Sequence, residues 1–163
     1  MDQLFVSPNG EYLFTKTSYP QFIATWHVPT RQLLATNRWP RKYPAALAFW
    51  PDGRQFAAGG DGNTITLWDT HTLRQAGELP GHPDIVRHLA ISPDGRTLVS
   101  EGRERALRFW NVATGRQLLN VPQRERSDQL AFSADGAWLG SVLRDGELVL
   151  WHAPPLAECD REP

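Results

Sequence analysis

Residues 51–69 read PDGRQFAAGGDGNTITLWD, and the fold is decided by that stretch. It holds a tight turn, a strand-length run of small residues, a second glycine-rich turn, and an alternating run that ends Leu67-Trp68-Asp69. The same frame occurs once before it and twice after it. The turn reads SPNG at 7–10, WPDG at 50–53, SPDG at 92–95 and SADG at 133–136. A tryptophan closes a later run in each copy: Trp26, Trp68, Trp110 and Trp151, separated by 42, 42 and 41 positions. Turn and tryptophan keep step, so the repeat is the structural unit and is read before any single residue.

A period of about 40–45 residues with strand-sized runs between turns is that of a four-stranded propeller blade. At these turns and tryptophans the chain resembles the WD-repeat β-propeller family, and the resemblance spans residues 2–152. The family dipeptide stands once, at Trp68-Asp69; the other copies read Trp26-His27, Trp110-Asn111 and Trp151-His152. The Gly-His that opens a family repeat also stands once, at Gly81-His82. These departures bear on how rigid each blade is. The fold class expected is all-β: four four-stranded antiparallel blades in an open partial ring. Blade one spans 1–36, blade two 37–79, blade three 80–121 and blade four 122–152, with a tail over 153–163.

Within a blade the reading gives four strands in order, a to d. In blade two, strand a is 45–49, b is 54–58, c is 64–68 and d is 73–78. Gly59-Gly60-Asp61-Gly62 is read as the b–c hairpin, where positive φ angles favour glycine. Blade one carries Ser18-Tyr19-Pro20 at the same turn and is the least regular. Blade four shows no clear strand d, because Pro154-Pro155 lacks two ladder donors. The chain thus opens on a strand a and stops after a strand c. In the family, one terminus usually supplies the outer strand of a blade shared with the other, so a self-closed ring is not expected. Four repeats amount to about half of the usual ring, and an open half-ring leaves two apolar blade faces unpartnered.

Composition narrows the class. At 163 residues the chain is long enough for a real core, and 40% hydrophobic content fits a globular protein. No apolar run approaches the ~20 residues of a membrane helix, and MDQLFVSPNG carries no secretory pattern. A formal net charge of −1 speaks against a general nucleic-acid binder. Cys159 is the single cysteine, which favours a reducing, cytoplasmic setting.

The resemblance implies an interior network joining a b–c turn acid, the Gly-His histidine, a strand-b hydroxyl and the strand-c tryptophan. Its role in the family is structural: it satisfies buried polar groups. Blade three has the fullest set, His82, Ser100, Glu104 and Trp110; blade four keeps Asp145 and Trp151. A Ser-His-acid trio also suggests a hydrolase, but no nucleophile elbow accompanies it. The histidines lack zinc-site spacing and cysteine partners, so no metal or cofactor is expected. The strand-c tryptophans are read as core.

In a propeller the d–a and b–c loops share one face. Here they carry many arginines interleaved with carboxylates. The loop NRWPRKYP at 37–44 sets two aromatics among three cations, and Arg, Trp and Tyr dominate interface hot spots. Trp39, Arg41, Tyr43, Arg103 and Arg124 are therefore the candidate protein-binding residues. The function implied by the resemblance is a non-catalytic interaction scaffold, expected as part of a larger propeller or multi-domain protein, with a protein or peptide partner or self-association that completes a ring. Two other readings stand beside it. One is a degenerate fragment without independent function. The other is a propeller enzyme, for which His88 and Asp128 are the channel-side candidates.

Overall fold

The computed structural model describes residues 3–17, 22–38, 44–60 and 63–152. All fifteen elements among them are strands, gathered in four antiparallel sheets. The first sheet is β1 (Gln3–Val6), β2 (Tyr12–Thr17), β3 (Phe22–His27) and β4 (Gln32–Arg38). The second is β5 (Pro44–Phe49), β6 (Gln55–Gly60), β7 (Thr64–Asp69) and β8 (Gln75–Pro80). The third is β9 (Val86–Ile91), β10 (Thr97–Gly102), β11 (Ala106–Asn111) and β12 (Arg116–Pro122). The fourth is β13 (Ser127–Phe132), β14 (Trp138–Leu143) and β15 (Leu148–His152). Each sheet is an up-and-down meander in chain order. The expectation of four strands per blade holds for three sheets. The fourth has three strands among the described residues, in keeping with the prolines that follow β15.

The turns explain why the motif recurs. In the third sheet Ser92 Oγ donates to Asp94 Oδ1 at 2.5 Å and accepts the Thr97 N–H at 3.0 Å, while Asp94 Oδ1 also accepts the Arg96 N–H. Gly95 follows at φ 71° and donates its N–H to Ser92 O. Ser133, Asp135 and Gly136 repeat the arrangement in the fourth sheet. A serine, an acid and a left-handed glycine thus satisfy the backbone of the reversal. The second sheet puts Trp50 where the others have serine. Its ring is buried, and its indole N–H reaches Gly95 O at 3.1 Å in the neighbouring turn. The first turn is tied sideways too, by Asn9 Nδ2 donating to Asp52 O at 2.7 Å.

A register shift lies immediately before the strand-c tryptophan in three sheets, between Thr25 and Trp26, Leu67 and Trp68, and Phe109 and Trp110. Such a bulge bends the outer strand and sharpens the local twist.

The core lies between sheets rather than inside any of them. Sheets one and two meet through Phe14, Ile23, Phe56, Ala58 and Trp68. Phe14 stands edge-on to Phe56 and Phe49, with centroids 5.0 and 6.3 Å away. Sheets two and three meet through Ala57, Ile65, Leu79, Leu89, Leu98 and Trp110. Sheets three and four meet through Val99, Leu107 and Leu139, with Phe109, Leu130, Phe132 and Trp151 packed around them. Trp68, Trp110 and Trp151 therefore each face the sheet before their own. Trp68 and Trp110 are 3% and 2% exposed, but Trp26 is 36% exposed. The expectation that all four are core fails at Trp26, because no earlier sheet lies against it.

A further expectation is corrected. Gly59 and Gly60 do not form the b–c turn; they are the last residues of β6. The left-handed residue at that turn is Asn63, at φ 54°, and Asp61 and Gly62 lie outside the described residues. Gly59 is small for another reason: a Cβ there would meet Val86 Cγ1 of the third sheet at 2.6 Å. Glu101 is the last residue but one of β10.

Candidate functional site

The third sheet assembles the implied network. His82 lies on the loop before β9, Ser100 is central in β10, Glu104 follows β10, and Trp110 is in β11. His82 Nε2 is 2.7 Å from Ser100 Oγ, and His82 Nδ1 is 2.7 Å from Glu104 Oε1. Trp110 Nε1 donates to Ser100 Oγ at 2.8 Å, and Arg108 Nε donates to Glu104 Oε1 at 3.0 Å. One proton assignment accounts for every hydrogen bond of the set. The indole N–H donates to the serine, the serine hydroxyl to His82 Nε2, and His82 Nδ1–H to the carboxylate. That assignment needs a neutral imidazole, which burial favours. Burial pushes His82 below its ordinary value, and the opposing pull of Glu104 does not restore it.

The serine, histidine and acid have the connectivity of a hydrolytic triad. Ser100, however, is fully buried, and its lone pair already takes the Trp110 N–H. A nucleophile must reach a substrate carbonyl, and this one faces a packed junction between two sheets. The chemistry available to the set is the joining of two strands and two loops through polar atoms that would otherwise be orphaned.

The fourth sheet does not repeat the set. Asp145 lies on the surface, where it pairs with Arg124 at 2.9 Å and accepts the Glu147 N–H at 3.1 Å. Trp151 packs on Val99, Leu107 and Leu139, away from that carboxylate. Ser141 occupies the place of Ser100 and is buried, but its partner is Ser127 Oγ at 2.6 Å. Ser127 in turn gives its backbone N–H to Glu101 Oε1 at 2.8 Å. Burial raises the Glu101 carboxyl above its ordinary value, and the Ser127 bonds only partly offset this. This Glu101–Ser127–Ser141 strap links sheets three and four, and sequence reasoning missed it. The signal was present: Glu101 stands one position after Ser100, where a continued strand sends it to the opposite face.

The loop-face candidates separate. Trp39, Arg41 and Tyr43 lie outside the described residues. Arg103 and Arg124 are exposed at neighbouring corners of the third and fourth sheets. Arg124 also pairs with Glu147. Between these corners Arg105, Glu125, Arg126, Arg144 and Asp145 line an open depression of about 430 Å³. The channel-side pair is placed as follows. His88 lies in β9, opposite Glu101, and its ring is held below the ordinary value mainly by burial. Asp128 is exposed, 3.9 Å from Arg144. Among the described residues no three His, Cys, Asp or Glu side chains form a group able to hold a metal ion. No helix among them is long and apolar enough to cross a membrane.

The fold and its buried junctions define a class: a repeat protein made of consecutive antiparallel blades in an unclosed arrangement. The model of the WD40 family (WD domain, G-beta repeat) matches residues 42–69 and 73–111, the second and third sheets. These two stretches carry WD40 repeats, and the four antiparallel sheets are consistent with WD-repeat blades. No curated protein matches it. Repeats of this family generally act as protein–protein interaction scaffolds and are typically non-catalytic.

Proposed function

We propose that this chain is a non-catalytic scaffold that holds a protein or peptide partner on the loop face of its third and fourth sheets. One observation carries the reading. Loops of two sheets bring Arg105, Arg126 and Arg144 around Glu125 and Asp145 in an open depression, and Arg124 pairs with Asp145 beside it. Arginine forks and carboxylates set on a rigid frame suit the backbone and charged side chains of an extended peptide. By residue type, Trp39, Arg41 and Tyr43 of the 37–44 segment suit a second contact with the same partner. The single cysteine fits work in a reducing, cytoplasmic setting.

The test is affinity capture followed by quantified binding of each captured protein. Three forms are compared: the unaltered chain, an Arg124→Glu/Arg144→Glu double variant and a Trp39→Ala/Arg41→Ala double variant. The first pair is exposed, so the far-ultraviolet spectrum should not change. At least one partner is expected to lose tenfold or more in affinity. Unchanged affinity for every partner in both variants would dispose of the loop-face reading.

A further inference from the structure

The first and last sheets each expose a face built from junction residues. Counted from the four turns, Leu4, Val6 and Leu13 of the first sheet occupy the places of Leu47, Phe49 and Phe56 in the second. The same places hold Leu89, Ile91 and Leu98 in the third sheet and Leu130, Phe132 and Leu139 in the fourth. In the later three sheets these residues pack against the preceding sheet. In the first, Leu4 and Val6 lie open with Trp26 and Leu33, Leu4 being 63% exposed. The far end is the mirror case. Counted back from the tryptophan, Leu148 takes the place of Ile23, Ile65 and Leu107. Those three are fully buried against the following sheet, whereas Leu148 is 58% exposed. Leu150 and Trp138 lie open beside it, with Trp138 4.6 Å from the His152 ring.

The occupant follows from the internal junctions. Each is heterologous: a face bearing the tryptophan meets a face bearing an aliphatic residue three places before the next tryptophan. Trp68 meets Phe14 and Ile23. Trp110 meets Ala57 and Ile65. The chain exposes one face of each kind, and the equivalent seat for Trp26 is Gly140 and Leu148. Gly140 leaves room there, as Ala57 does beneath Trp110. Apart from Arg38, the residues that alternate onto these two faces are uncharged, so neither is built for water.

We propose that these faces pair with each other between two copies of the chain. Leu148 and Leu150 of one copy cover Trp26, Leu4 and Val6 of the other, and the same contact repeats in reverse. A heterologous contact either closes or polymerises. Two copies supply eight sheets, within the range of roughly 4–8 that propeller rings accommodate, and three copies exceed it. The contact lies on the sheet faces, not on the loop face, so it stands or falls separately from partner binding.

Sedimentation equilibrium of the 163-residue chain at micromolar concentration tests it. The expected mass is twice the 18.4 kDa of one chain. Leu4→Glu and Leu148→Glu each alter a residue more than half exposed, so each single chain should keep its fold while its mass falls to one copy. Mixing the two variants should restore a two-chain species containing one of each, because one junction then remains intact. Three outcomes overturn the proposal. They are a monomer for the unaltered chain, a dimer that survives either substitution, and a series of larger masses.

Discussion

The two inner sheets and the two outer ones carry the same residues at the same places and treat them differently. Trp68 and Trp110 sit in closed junctions, while Trp26, at the matching place, is half-open. Ile65 and Leu107 are buried, and Leu148 is not. The two stretches that match the family fall on the inner pair. The comparison teaches that a blade does not own its core. Each core is shared with a neighbour, so the stability of a repeat is partly an interface term.

The largest effect should come from removing an inner tryptophan. Trp110→Ala leaves a cavity between sheets two and three and removes one of the two hydrogen-bond partners of Ser100 Oγ, so it should cost ~3–5 kcal/mol in chemical denaturation. Trp26→Ala sharpens the contrast. In dilute solution it should cost less than Trp110→Ala, since more than a third of its surface is already in water and no closed junction is emptied. If the outer faces pair, that cost rises with protein concentration. Equal costs for Trp26→Ala and Trp110→Ala in dilute solution would erase the distinction between inner and outer sheets.

An inner junction should also resist added volume. Gly59→Ala drives a Cβ against Val86, which is fully buried, and should destabilise by ~1–3 kcal/mol. Gly146→Ala offers a control in the fourth sheet. Nothing lies near a Cβ there, so only its φ of 87° resists.

Acid should weaken the inner sheets through their histidines. Burial, despite Glu104, holds His82 below the ordinary value of 6.5, and burial does the same to His88. Below that value the unfolded chain binds protons that the folded chain refuses. Stability should therefore fall as pH drops from about 7 through 6. Glu101 acts in the opposite sense: with its carboxyl raised, the folded chain holds the extra proton above 4.5. His82→Gln should flatten the pH dependence of unfolding and Glu101→Gln should steepen it. A His82→Gln profile that overlays the unaltered one would remove His82 from the account.

The smallest effect concerns one turn compared across sheets. Five places after the tryptophan the backbone is left-handed at Arg31, Leu73 and Gly115, with φ of 57°, 51° and 67°. Glycine adopts that conformation freely, and other residues lose about 1–2 kcal/mol in it. Leu73 is compensated by burial in the junction between sheets one and two, but Arg31 is exposed. Arg31→Gly should raise stability by under ~1 kcal/mol, whereas Leu73→Gly should lower it.

Much of this architecture was legible because its rules are local. Ser92, Asp94 and Gly95 build their turn from their own side chains, so the tetrapeptide announces the reversal wherever it stands. Alternation along 64–68 announces a strand for the same reason. The His82–Ser100–Glu104–Trp110 set was legible through the resemblance, since its members hold repeat positions. The Glu101 strap was legible only in the face that alternation gives Glu101, because its partner Ser127 lies in another sheet. Gly59 misled in the same way. Beside Gly60 and Gly62 it read as a turn, whereas the approach of Val86 from the next sheet is what demands its size.

By itself, then, the order of residues determined four repeats, their turns, and which side chains each strand turns to either face. Those outcomes depend on contacts within a few residues or on the two-residue period of a strand. Only the packing of sheet on sheet decided which of those faces lie dry, which tryptophan stands open, and which polar groups meet between blades. Burial belongs to pairs of surfaces, and a repeat cannot record whether its neighbour is there.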